Sequence, residues 1–343
     1  MSTSAYLKKF LTASAAIVAI TVQPTAAAFA AEGTRIPDNV VVDRTLADAF
    51  AKGDFAAKIT PRQGYVGKLL FGNLAKHPGV KVPGAAPARA LVPGQHDFYP
   101  ADLGYYGYGY LPSTQYINVY WGEANSSTWG YPDTYEWYLQ RSSMIHTLDQ
   151  YVGSTANDRY GYASHYWYGG GPGSYITQSG IASTVQYWAT QDRAAWGAPL
   201  NGSDIYHVFL PPGTDTCFDN LSACYNPDGK APGPFGFCGY HSYTTLSDGT
   251  IVLYTVEPYQ SVSGCSTGAG TSNDTANVLG HEIAETITDP IVGGGWVGEW
   301  VLNNGQEVGD ECAWTLFNHT LYKATYYTQD WYENSHHACG DTK

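Results

Sequence analysis

The sequence predicts an α/β (α+β) protein with a mixed β-sheet and packed helices. Three observations lead there. The chain passes twice from strand through amphipathic helix to strand, which is the pattern of an α/β layer. A hairpin pattern follows the second pass. All six cysteines lie between Cys217 and Cys339, which predicts loops stapled by disulfides towards the C-terminus.

Gln115–Trp121 (QYINVYW) alternates and is rich in β-formers, so it reads as a strand. Asp133 with Glu136 three residues on marks a helix start, and Tyr138, Ile145, Leu148 and Val152 carry helical spacing to a stop at Gly153. An aromatic run, Tyr162–Tyr168, leads into Gly169-Gly170-Gly171, followed by a helix over Ser183–Trp196 and a strand over Asp204–Leu210. The triple glycine has no Lys-Ser or Lys-Thr after it and is not a phosphate loop. Tyr240–Thr245 and Thr250–Val256 flank Ser247-Asp248-Gly249 and predict a hairpin. Asn273–Ile287 is the last predicted helix, capped by Ser272 or Asn273 and stopped at Asp289-Pro290. Beyond it come Trp- and Gly-rich loops with short strands.

Charge divides the chain near residue 100. Residues 1–100 hold 11 Lys plus Arg and 6 Asp plus Glu; residues 101–343 hold 6 and 24, a net of −18. Without a basic footprint, nucleic acid and anionic membranes are excluded as partners. Lys8 and Lys9, an apolar run from Phe10 to Val22 and Ala28-Phe29-Ala30 predict a signal peptide over 1–30, hence a secreted chain with no stable membrane insertion. Residues 31–100 carry nine basic residues and end in a Pro/Gly/Ala-rich piece, which fits a propeptide or an N-terminal linker, with a short helix around Leu46–Phe55. Residues 101–343 form the acidic secreted α/β domain. In an exported chain six cysteines favour disulfides, and sequence proximity selects Cys217 with Cys224, Cys238 with Cys265, and Cys312 with Cys339.

The chemistry concentrates in Gly280-His281-Glu282-Ile283-Ala284-Glu285-Thr286-Ile287-Thr288-Asp289-Pro290. On a helix His281 and Glu285 share a face and can reach one ion, with Glu282 beside them. Ala276, Leu279, Ile283 and Ile287 form an apolar stripe almost opposite, so the polar pair is expected to face a cleft or water. The arrangement is zincin-like: it imitates the His-Glu-x-x-His helix, with Glu285 in place of the second histidine. With 10 His in the chain, chance supplies only about 0.01 occurrences of the pattern. The carboxylate makes the site harder, so Zn²⁺ has Ca²⁺ and Mn²⁺ as competitors. The third ligand is expected from Asp310 first and Glu307 second, in Glu307-Val308-Gly309-Asp310-Glu311-Cys312, with Asp289 as another candidate. His165, His241, His319, His336 and His337 stay open as ligands, each reading first as an ordinary surface or core histidine. Gly280 predicts close backbone packing behind the site.

A family resemblance rests on an ordered series of motifs: Ile117–Gly122 (INVYWG), Trp137–Arg141 (WYLQR), His165–Tyr168 (HYWY), Cys238–His241 (CGYH), Thr286–Pro290 (TITDP) and Gly294–Gly298 (GGWVG). Over about 115–343 the chain resembles the EXORDIUM, or phosphate-induced, family of secreted proteins. That resemblance implies an extracellular protein, not an established catalyst. Two expectations follow. One is a secreted zinc-dependent endopeptidase acting on a polypeptide substrate, with His281, Glu285 and Asp310 as ligands and Glu282 as general base for a metal-activated water. The other is a non-catalytic extracellular protein with a structural ion that binds cell-wall polysaccharide or a protein. The helix is expected beneath a cleft roofed by the Trp296–Trp314 loop.

Overall fold

The structure is a computed structural model that describes residues 102–107, 109–123, 125–153, 159–196, 204–298 and 306–340. The expected signal peptide, the segment 31–100 and the short helix around Leu46–Phe55 lie outside the described residues. In chain order, β1 (Leu103–Tyr105) and β2 (Thr114–Trp121) precede α1 (Pro132–Leu139), α2 (Asp149–Val152) and β3 (Tyr160–Tyr168). Next come β4 (Tyr175–Thr177), α3 (Gln178–Trp196), β5 (Ile205–Leu210), β6 (Asp215–Cys217) and β7 (Cys224–Tyr225). The hairpin β8 (Tyr240–Thr245) and β9 (Ile251–Pro258) leads to α4 (Thr271–Thr288) and β10 (Trp296–Gly298). β11 (Leu316–Leu321), β12 (Ala324–Gln329), β13 (Trp331–Glu333) and β14 (Ala338–Gly340) close the chain.

The central sheet is mixed, in the order β3-β2-β5-β9-β8, with the first four strands parallel and β8 antiparallel. β5 and β9 are buried along their whole length, as expected of strands covered on both faces. On one face α3 packs Ile181, Val185 and Trp188 against Val119, Val208 and Tyr254. On the other, α1 and α4 pack Tyr135, Leu139, Leu279, Ile283 and Ile287 against Tyr116, Phe209 and Leu253. Each such side chain contributes roughly 1.5–3 kcal/mol on burial. The α/β prediction therefore holds, with helices on both sides of a mixed sheet.

The helix expected from Asp133 to Val152 is broken. It starts at Pro132, with Tyr131 at φ 66 as its cap. Asp133 does not cap it, because its Oδ1 accepts from Asn118 Nδ2 at 2.8 Å and from the Tyr120 hydroxyl at 2.6 Å. α1 ends at Leu139, whose carbonyl accepts from the Ser142 hydroxyl at 2.7 Å, and the chain resumes through a 3-10 turn, Met144–Leu148. α3 begins five residues before the expected Ser183, its first turn held by Thr177, whose hydroxyl accepts from Gly180 N–H. α4 likewise begins earlier, with Gly270 as its cap. There the Asn273 side-chain Oδ1 accepts from Tyr327 N–H at 2.7 Å, which ties the helix start to β12.

All three disulfides join the predicted neighbours, Cys217–Cys224, Cys238–Cys265 and Cys312–Cys339, and no cysteine is free. That state fits an oxidising environment. No helix among the described residues is long and apolar enough to cross a membrane.

Candidate metal centre

α4 packs against β8 and β9 and against β12. Close approach is built in at two glycines. A Cβ on Gly280 would stand 2.2 Å from the Tyr135 hydroxyl, which is the packing behind the helix that Gly280 predicts. A Cβ on Gly239 would stand 2.5 Å from Val278 and 3.1 Å from Glu282 Oε1, so the strand entering β8 lies directly on the polar side.

The expectation that His281 and Glu285 face a cleft or water is corrected: His281, Glu282 and Glu285 are each 0% exposed. Segment 306–312 is the cover. Gly309 lies flat on the His281 ring, where a Cβ would stand 2.6 Å from Nδ1. Gln329 fixes this cover to the helix, donating from Nε2 to the Gly309 carbonyl and from its backbone N–H to Asn277 Oδ1, both at 2.7 Å. The predicted roof by the 296–314 loop is thus present in its second half as a lid in contact; residues 299–305 lie outside the described residues.

Three trios of ligand atoms form there, each within 4.8 Å of one another: His281, Glu285 and Asp310; His241, Glu282 and Glu285; and His241, Asp289 and Glu307. In the first, His281 Nε2 lies 2.9 Å from Glu285 Oε1 and 3.7 Å from Asp310 Oδ1, and Asp310 N–H donates to Glu285 Oε1 at 3.1 Å. This is the predicted set with Asp310 as third member. His241 Nδ1 lies 3.5 Å from Glu285 Oε2 and 3.6 Å from Glu282 Oε2, while its Nε2 lies 3.5 Å from Glu307 Oε2. The reading of His241 as an ordinary histidine is therefore corrected: it joins the second and third trios. What places it is the antiparallel pairing of His241 with Thr255, a tertiary fact. The only local signal is its position three residues after Cys238, whose bridge to Cys265 anchors that stretch next to the start of α4.

Glu307 and Asp289 belong to the His241 side, not to the His281 trio. Asp289 does not swing back to His281, because its carboxylate accepts from the N–H groups of Gly293, Gly294 and Gly295. Those glycines allow the approach: Gly293 has φ 83, and a Cβ on Gly295 would stand 2.2 Å from the Thr288 carbonyl oxygen.

Electrostatically the cluster is crowded. Burial lifts the Glu282 carboxyl to about 7, against the pull of His241 and His281. Burial also works against ionised Glu285, yet His281 and His241 hold it down to about 2. Burial opposes protonation of His281, but Glu285 outweighs it and the imidazole rises to about 9. Burial pushes Glu307 and Asp310 well above the usual carboxylate range.

Whether these residues suit an ion can be judged from their unmet polar atoms. Nδ1 of His281, both carboxylate oxygens of Glu282, Oε2 of Glu285, Oε2 of Glu307 and Nδ1 of His241 are buried without a hydrogen-bond partner. Each such atom costs roughly 1–3 kcal/mol when left unmet. A divalent cation satisfies several at once and neutralises adjacent carboxylates, so the donor set fits a metal.

The polar character continues across the sheet. Asn118, His207, Thr255 and His241 occupy one register on β2, β5, β9 and β8. His207 Nδ1 lies 2.6 Å from Thr255 Oγ1, and Glu136 Oε2 accepts from Asn118 Nδ2 at 3.0 Å. No family model, curated protein or solved structure matches this chain.

Proposed function

We propose that this chain is a secreted, metal-dependent hydrolase of the endopeptidase kind, a microbial relative of the EXORDIUM-like secreted proteins. The observation that carries the reading is the convergence of His281, Glu285 and Asp310 on one point, with Glu282 on the same helix. Every trio combines one imidazole with two carboxylates, a nitrogen–oxygen set that suits Zn²⁺ or Mn²⁺ better than Ca²⁺, which takes oxygen ligands. His281, Glu285 and Asp310 would hold the ion, and a bound ion supplies Lewis acidity to a carbonyl and to water. Glu282 has neither oxygen committed and accepts the proton released when water attacks. His241, between Glu282 and Glu285, favours the ionised form of both carboxylates. Segment 306–312 covers His281 and also carries Asp310, so a polypeptide has to reach the ion without this segment leaving it.

The complete burial of His281, Glu282 and Glu285 favours a second reading, an extracellular protein in which the ion is structural. Glu282→Gln separates the two. Under the hydrolytic reading the variant keeps its metal and its fold and loses cleavage of an unstructured protein such as casein. Equal cleavage by the variant, or none by the metal-loaded wild type, leaves the structural reading.

A further inference from the structure

A second site lies on the surface, built from α1 and the tip of the β11–β12 hairpin. Trp137 on α1 is 36% exposed and Tyr322 at the tip is 48% exposed, with ring centroids 5.3 Å apart. Tyr138 completes the plate, 5.4 Å from Trp137 and 6.1 Å from Tyr322. Sequence-distant segments thus gather three rings, edge to face at 62° and 76° and tilted at 45°.

Two features set this plate apart from a simple packing contact. Tyr322 occupies the hairpin turn at φ 51, a left-handed conformation that favours Gly or Asn and is unfavourable for a bulky aromatic. The chain holds a large ring there and leaves half of it in water, and such strain gathers at binding surfaces. The second feature is charge. The Arg141 guanidinium lies 4.2 Å over the Trp137 ring and the Lys323 ammonium 5.0 Å over the Tyr322 ring. Residues 101–343 hold only six basic residues against 24 acidic ones. Arg159 and Lys230 are paired with Asp149 and Asp228. Arg141 and Lys323 have no carboxylate partner among the described residues, and both stand at this one aromatic plate.

We propose that Trp137, Tyr138 and Tyr322, with Arg141 and Lys323, form a binding site for an acidic polysaccharide, a chain of uronic-acid sugars. The exposed parts of the rings offer apolar surface to sugar faces, and the cations beside them meet the sugar carboxylates. A neutral glycan would leave both cations without a role. Nucleic acid carries a denser charge than two cations can offset on a body of net −18. The site is separate from the metal centre and does not depend on the hydrolytic reading.

The test uses the mature secreted protein in calcium-free buffer, with polygalacturonate as probe and its carboxyl-reduced, neutral counterpart as control, in affinity electrophoresis. The expected result is retardation by polygalacturonate alone, reduced by salt. Arg141→Gln with Lys323→Gln, both on exposed side chains, should weaken binding at least tenfold with an unchanged circular dichroism spectrum, and Trp137→Ala should do the same. His281→Ala should leave binding intact, which keeps this outcome distinct from any result at the metal centre. No retardation by polygalacturonate, equal retardation by the reduced polymer, or binding indifferent to the charge-neutral double variant would each overturn the proposal.

Discussion

Gly309→Ala probes the metal centre without touching a ligand. The added Cβ would stand 2.6 Å from His281 Nδ1 and 2.9 Å from Cγ and Cε1, all shorter than real Cβ contacts. The neighbour is a rigid ring, fully buried and held against Glu285, so it cannot swing aside like a flexible side chain end. Ring and cover must separate by close to an ångström to restore van der Waals distance. Ligand distances tolerate only about 0.2 Å, so His281 leaves the coordinating position. We expect a stability loss of roughly 1–3 kcal/mol from overpacking and a metal affinity lower by about 10–100-fold, the scale of disrupted ligand support. Gly171→Ala is the control, since nothing lies within 4 Å of its Cβ position. Chelator competition with Zn²⁺ and Mn²⁺ reads the affinity, and urea unfolding reads the stability. If Gly309→Ala binds metal as tightly as Gly171→Ala, the ring beneath Gly309 is not a ligand and the His281 trio is wrong.

Other outcomes follow from the same fold. Burial, and then Asp133, push the Glu136 carboxyl well above its ordinary 4.5. The folded state therefore keeps a proton that the unfolded chain releases, and stability falls as pH rises from about 4.5 towards the folded value. The slope is up to about 1.4 kcal/mol per pH unit. Glu136→Gln should lose this component in unfolding curves taken from pH 4 to 8; an identical slope in both proteins would show that Glu136 ionises freely in the fold. Replacing Cys312 and Cys339 together by Ser opens a bridge spanning 27 residues and should cost about 3.5 kcal/mol. The same change at Cys217 and Cys224, separated by 7, should cost less and leave metal affinity unchanged, whereas the Cys312 pair should lower it because Asp310 stands two residues away. Equal metal affinity in the two double variants would disconnect the bridge from the centre.

Much of this fold is legible locally because its elements are locally consistent. β2, β5 and the β8–β9 hairpin announce themselves by β-branched and aromatic runs, and α4 by its apolar stripe. The early start of α3 is not legible, because Ser179 and Gly180 read as loop until Thr177 closes the turn. The His281–Glu285–Asp310 trio is legible because two of its members are one helical turn apart and the third sits next to a cysteine. His241 is hidden for the opposite reason: its role depends on strand pairing between distant stretches. The burial of the polar face escapes sequence analysis as well. Helical periodicity separates one face from the other, but it says nothing about a segment that returns 25 residues later to cover the polar one.

The two longer bridges set when the centre can exist. Its donors come from three stretches, β8, α4 and the 307–310 segment, and the first and last are fastened by Cys238–Cys265 and Cys312–Cys339. No short fragment carries the set, and the loop-closure entropy that brings it together is settled only when both bridges are closed. The candidate centre is thus coupled to thiol oxidation: opening either bridge loosens a stretch that carries its donors.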